Sequence, residues 1–199
     1  MSVRQVVLAV VFALVVGSGC TVRVGDEDPV DPVFGTGTTV RWDLTRPLEA
    51  KPLGLPDNEM DILDVPDNAT VSLQLPTGTW SGRTEQMTVI TRHGYVDSVD
   101  LFWTEANGQA AEDRMVADAG LLGVDAARVA QWAETAKWAE TADLNETRHK
   151  DNFNGSNGRV STAIKPSMAV GEGEGTPVRL WYVFYLRHVV EQTNVKPMK

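Results

Sequence analysis

Val178-Arg179-Leu180-Trp181-Tyr182-Val183-Phe184-Tyr185-Leu186 decides the reading of the fold. Strand alternation puts Leu180, Tyr182, Phe184 and Leu186 on one face, and Trp181, Val183 and Tyr185 on the other. A strand apolar on both faces belongs inside a sheet, or at an edge that meets a partner. Continued to Val190, it lies opposite Arg159–Val170 across the tip Gly171-Glu172-Gly173-Glu174-Gly175, which predicts a long antiparallel hairpin.

Before this hairpin, Asp151 to Gly158 reads as a polar loop. Further back, between Asn107 and Asn145, the apolar period changes from two to nearly four. Met115, Val116, Ala119 and Leu122 make one stripe of a first helix. Gly123-Val124-Asp125 breaks it, and Asp125 is a good N-cap for a second helix from Ala126 to about Ala142. Val129, Trp132, Ala133 and Ala136 form its expected buried side. Trp-Ala-Glu-Thr-Ala occurs at 132–136 and again at 138–142, but a six-residue step turns a helix by about 240°, so Trp132 and Trp138 cannot share a face. This is a local duplication.

Strands precede the helices. Thr39 to Leu44 alternates, Met60 to Val65 is a short candidate between prolines, and Val71, Leu73 and Leu75 mark the next, ended by Pro76-Thr77-Gly78. Gln86–Thr91 and Tyr95–Trp103 flank His93-Gly94 as a hairpin. Strands, two helices, then strands predict an α+β fold: an antiparallel sheet with a two-helix hairpin packed on one face.

The N-terminus reads differently. Arg4 is followed by eleven apolar residues, Val6 to Val16, then Gly17-Ser18-Gly19-Cys20. That run suits the apolar region of a signal peptide and is short of the roughly 20 residues that span a bilayer. It resembles the signal peptide of bacterial lipoproteins, whose lipobox runs aliphatic, small, small, Cys. The resemblance implies that the chain is cut between Gly19 and Cys20 and that Cys20 carries a diacylglycerol. Ser18 and Gly19 match the small positions; Gly17 departs from the usual aliphatic residue, which stands one place earlier as Val16. Gly17 and Gly19 also fit an A-x-A-like site for ordinary secretion.

The expected organisation is a signal peptide over 1–19, a lipid-anchored acidic Pro/Gly-rich tether over 20–37, one domain over 38–193 and a tail over 194–199. The 199 residues contain one cysteine, 42% hydrophobic and 23% charged residues, and a formal charge of −9 with 18 Lys+Arg against 27 Asp+Glu. One cysteine excludes an internal disulfide framework or a Cys-rich zinc site. The acidic balance disfavours nucleic acid as a partner.

No catalytic motif is complete. In Gly78-Thr79-Trp80-Ser81-Gly82 the serine stands one position from a Gly-x-Ser-x-Gly elbow, and Ser161 is followed by lysine only at Lys165. The glycine-rich tip at 171–175 lacks the Lys-Ser/Thr of a phosphate loop. Asn152, Asn154 and Ser156 imitate a calcium loop, but Ala163 stands where its bidentate Glu belongs. Asp97 and Asp100, three apart in a strand, point to opposite faces unless a bulge intervenes. His93, His149 and His188 are scattered. Trp181, Tyr182 and Tyr185 suit either a core or a ligand cleft.

Val116 to Trp132 resembles a bacterial helix-turn-helix, through Ala119, Leu122-Gly123-Val124, Val129 and Trp132. Its reading helix would carry Ala126, Ala127, Arg128, Gln131, Glu134 and Thr135, with a single cation for phosphates. The resulting expectation is a lipoprotein on the extracytoplasmic face of the cell membrane, with no catalytic, metal or cofactor residues. It acts as a binding or structural module toward an envelope protein, a wall polymer or a small ligand. An exported hydrolase is the alternative, and a helix-turn-helix DNA-binding protein the remote one.

Overall fold

The computed structural model describes residues 33–34, 37–132, 148–169 and 175–186. The expected signal peptide, Cys20, the second helix beyond Trp132, the hairpin tip at 171–174 and His188 lie outside the described residues. Most of what is described is strand: β1 (Thr39–Asp43), β2 (Met60–Leu63), β3 (Thr70–Leu75), β4 (Gly78–Arg83), β5 (Gln86–Arg92), β6 (Tyr95–Glu105), β7 (Arg148–Lys150), β8 (Phe153–Asn157), β9 (Val160–Ala169) and β10 (Val178–Leu186). Among the described residues two α-helices stand between β6 and β7, α1 (Gly108–Leu122) and α2 (Ala126–Val129); α2 is a single turn with its C-cap at Ala130, where the sequence predicts an unbroken helix to about Ala142.

The strands form two sheets where the sequence predicts one. Three strands run in the order β1-β3-β4, and seven form the other sheet, β2-β5-β6-β10-β9-β7 with β8 also on β9. β10 sits between β6 and β9, antiparallel to both, as a strand apolar on both faces should. The small sheet is not wholly antiparallel. Between β1 and β3 the chain visits the large sheet as β2, and it returns running parallel to β1.

Segment 151–158 is not a loop. Phe153–Asn157 pairs with Val160–Ile164, because Gly158 at φ +60° closes a tight turn into β9. β4 also lies where no strand was expected, since only Trp80 and Gly82 give its inner face any pattern. The β5–β6 turn follows expectation: His93 and Gly94 have φ of +55° and +82°, the two positive values that a two-residue hairpin needs. Just beyond it, Thr91 pairs with Val96 and Ile90 with Ser98, so Asp97 is an extra residue bulging from β6.

The core lies between the two sheets and under α1. Trp80 of β4 places its ring 6.1 Å from Trp103, 5.8 Å from Tyr182 and 5.4 Å from Phe184, joining the small sheet to the large one. α1 buries Ala111, Met115, Ala119 and Leu122. Val116, placed in the stripe from sequence, is 38% exposed, because it stands about 100° round the helix from Met115.

Asn107 caps the start of α1, its Oδ1 accepting from the Ala110 N–H at 2.9 Å. Gly123 (φ +66°) ends the helix, and the Val124 N–H donates back to the Ala119 carbonyl at 2.9 Å, a Schellman closure. The last carbonyls find side-chain donors in the sheet. Asn157 Nδ2 donates to the Leu121 carbonyl at 2.7 Å and Thr162 Oγ1 to that of Leu122 at 2.6 Å. Asp125 then caps α2 as expected, accepting from the Ala127 N–H at 2.9 Å.

Candidate binding face

The large sheet turns one face to the core. Strand register organises its other face into rows running across the strands. One row is Met60, Ile90, Ser98, Tyr185 and Ser161; the next is Ile62, Thr88, Asp100, Val183 and Ala163; the third is Gln86, Phe102, Trp181 and Lys165. Large side chains dominate the first and third rows, and small ones the middle row from Thr88 to Ala163. By register the middle row is a strip of smaller side chains crossing the strands, a furrow between bulkier rows that Ser98 and Ser161 interrupt on one side. Its floor is buried, with Thr88, Asp100, Val183 and Ala163 all under 10% exposed. Val183 and Ala163 belong to no part of the main core cluster. Met60, Ile62 and Tyr185, along the furrow, are 66%, 61% and 43% exposed.

In the third row the aromatic faces are already occupied. Phe102 and Trp181 stack at 5.3 Å and 19°. Lys165 Nζ lies 3.7 Å from the centroid of Trp181, and the Arg179 guanidinium 5.2 Å from that of Phe102. Arg179 also donates to Gln86 Oε1 at 2.8 Å. A cation–ring–ring–cation ladder of this kind holds each cation on a ring instead of on a carboxylate.

Asp100 is the anomaly of the floor. Its hydrogen-bond partners among the described residues are two neutral donors, Ser98 Oγ at 3.4 Å and Trp181 Nε1 at 3.2 Å. No ion pair reaches it among the described residues. Burial pushes its carboxyl above the ordinary aspartate value; the bonds from Trp181 and Ser98 and the more distant charge of Lys165 pull the other way. Tyr185 is raised too, by its own desolvation first and then by the Asp100 charge, which places the phenol within reach of the carboxylate's field.

An acid raised in the folded state favours folding most when protonated. Its contribution is fully present below the unfolded pKa of about 3.9 and is lost as pH rises through the raised folded value. Asn retains an acceptor for Trp181 without the charge. Asp100→Asn is therefore expected to melt a few degrees above the native protein at neutral pH, with the gap closing in acid. Thermal melts by circular dichroism across that range measure it, and a lower melting point at neutral pH would contradict it.

The other residues singled out from sequence are dispersed. The bulge leaves Asp97 off the core face, because Val96 and Val99 on either side of the Asp97-Ser98 pair are both fully buried. Asp97 is thus not opposed to Asp100 as simple alternation requires; it pairs with Arg92 at 3.8 Å. His93 is a turn residue whose N–H donates to Asn58 Oδ1. His149 lies in β7, opposite Met168. Asn154 and Ser156 are exposed strand residues, so no calcium loop is built. Arg128 of the helix-turn-helix resemblance lies over the Phe153 ring at 5.7 Å. Tyr182 is core; Trp181 and Tyr185 are on the furrow.

Clefts also open elsewhere among the described residues. One of about 330 Å³ lies against Asp67, Asn68, Arg83 and Glu85, and one of about 110 Å³ against Glu85, Trp103, Glu105 and Arg114. Several of these polar groups satisfy one another or their neighbours. Glu85 accepts from the Thr104 N–H and hydroxyl, Trp103 donates to Glu105 at 2.9 Å, and Arg114 spans the Ser81 carbonyl and Asp118. That is the pattern of a structural seam. Among the described residues no three His, Cys, Asp or Glu are grouped to hold a metal ion, and no helix is long and apolar enough to cross a membrane. Compared with known proteins, the chain matches no family model, no curated protein and no solved structure.

Proposed function

We propose that this chain is a bacterial cell-envelope lipoprotein, held on the extracytoplasmic face of the membrane by acyl chains on Cys20. Its folded domain is a binding module for an envelope protein or wall polymer. The anchor rests on Arg4, the apolar run Val6–Val16 and the Gly17-Ser18-Gly19-Cys20 sequence. The observation that carries the binding reading is the furrow: a sheet face running across the central strand β10, with exposed Met60, Ile62 and Tyr185 along it and a buried carboxylate in its floor.

Asp100 also gives the hydrolase alternative a candidate acid. It is the weaker reading, because among the described residues the carboxylate meets only Ser98 and Trp181, neither of which supplies a base or a second acid.

Intact mass of the protein from its native host tests the anchor. The expected species lacks residues 1–19 and is heavier by a diacylglycerol, and Cys20→Ala leaves the membrane fraction. A cleaved, lipid-free species would replace anchoring with free secretion. An uncleaved cytosolic chain would overturn the reading.

A further inference from the structure

The furrow's floor holds a buried carboxylate that makes no ion pair among the described residues. Such a group is costly to keep ionised away from water unless an ion pair offsets it. The cations seated on the third row are engaged there, Lys165 on Trp181 and Arg179 on Phe102 and Gln86, and Arg92 further along the face pairs with Asp97. Both ring faces of the Phe102–Trp181 stack are also covered, so a flat ring of a sugar or a base finds no open platform there. What the furrow offers is a carboxylate at depth, aromatic edges beside it and apolar side chains along it.

Size narrows the occupant. Five strands at about 4.8 Å spacing and three rows along them span roughly 20 by 15 Å, or about 300 Å². A folded partner in a stable interface covers about 800 Å² on each side, so this patch suits an extended segment. The whole-chain charge of −9 attracts cations at long range.

Resting on the binding-module reading, we propose that the furrow takes an extended cationic segment and that Asp100 is the counter-ion for its ammonium or guanidinium group. The groups facing that charge are Asp100 and Tyr185 from one side and Lys165, on its ring, from the other. Trp181 donates its indole N–H to Asp100, so it reports directly on occupancy.

The test titrates the full-length chain, in non-ionic detergent, with acetyl-tetralysine-amide and with its tetranorleucine counterpart, following the Trp181 indole signal by NMR. The lysine peptide is expected to shift that signal saturably and the norleucine peptide to leave it in place. Asp100→Asn should weaken the lysine peptide at least tenfold while staying folded. Asp97→Asn, which removes a charge outside the furrow, should not. Equal response to norleucine, no response to lysine, or unchanged binding by Asp100→Asn would each overturn the cation proposal.

Binding of lipid-free Cys20→Ala protein to isolated envelopes separates that failure from failure of the broader reading. Loss in Tyr185→Ala and Met60→Ser but not in Asp100→Asn would leave a binding face without a cation site. No loss in any of the three would remove the face as well.

Discussion

Trp80→Ala should destabilise the domain by about 3–5 kcal/mol, the range for truncating a buried tryptophan. Trp80 is 1% exposed and touches three aromatic rings of the opposite sheet, Trp103, Tyr182 and Phe184. Arg114 closes over the same ring at 5.5 Å. The strand cannot refill the space, because its neighbour on the inner face is Gly82. A Cβ there would lie 2.6 Å from the indole, so the missing side chain is what admits the ring. The indole N–H makes no hydrogen bond, so the loss is one of packing and of the Arg114 contact, with no hydrogen bond given up. Trp80→Phe should cost clearly less. Urea unfolding followed by far-ultraviolet circular dichroism measures both. A loss under about 1 kcal/mol for alanine would mean that this residue does not join the sheets.

The residue that joins the sheets stands on the strand least legible in the sequence. Gly78-Thr79-Trp80-Ser81-Gly82-Arg83 has one large apolar side chain in six, too few for alternation to register. Where a strand carries its own period, as β3 and β10 do, pattern and structure agree. The turn at His93-Gly94 and the caps at Asp125 and Gly123 were equally legible, because each rests on local backbone chemistry. Pairing across distance was not. Nothing local distinguishes parallel from antiparallel for β1 and β3, and nothing in Phe153–Asn157 announces that β9 will take it as a partner.

The candidate site divides the same way. That β10 carries apolar groups on both faces is readable, and so is the choice between a central strand and one that meets a partner; the structure places it centrally. Asp100 was visible only as half of a carboxylate pair. Its burial needs Trp181 and Val183 beside it, 81 and 83 residues further along the chain. The bulge at Asp97 required the β5 register. One signal was available: Asp100 lies between Val99 and Leu101 in a strand whose next aromatic, Phe102, is on its own side. A charged residue within so apolar a strand already asks for a reason.

Gly123→Ala should cost about 3 kcal/mol or more, and Gly120→Ala, three residues earlier on the same helix, should cost nothing. At Gly123 two penalties combine. The left-handed backbone is worth about 1–2 kcal/mol against any L side chain. A Cβ would also stand 2.2 Å from the Ser156 carbonyl oxygen, a backbone atom of β8 that cannot yield without leaving β9, and forcing atoms into such a contact costs a further 1–3 kcal/mol or so. The approach is mutual, since a Cβ at Gly155 would meet the Leu122 carbonyl at 2.4 Å. Gly120 has nothing within 4 Å of its would-be Cβ and lies inside α1, where alanine favours the helix by up to about 1 kcal/mol. At roughly 2–4 °C per kcal/mol for a domain of this size, the two variants should melt on opposite sides of the native protein, about 10 °C apart or more. The pair also discriminates between two accounts of Leu122-Gly123-Val124. In a free helix-turn-helix corner only the backbone strain applies, and Gly123→Ala would lose about 1–2 kcal/mol. Where the corner is pressed onto β8 the clash adds to the strain, and the difference between the two losses measures how firmly the end of α1 is held by the sheet.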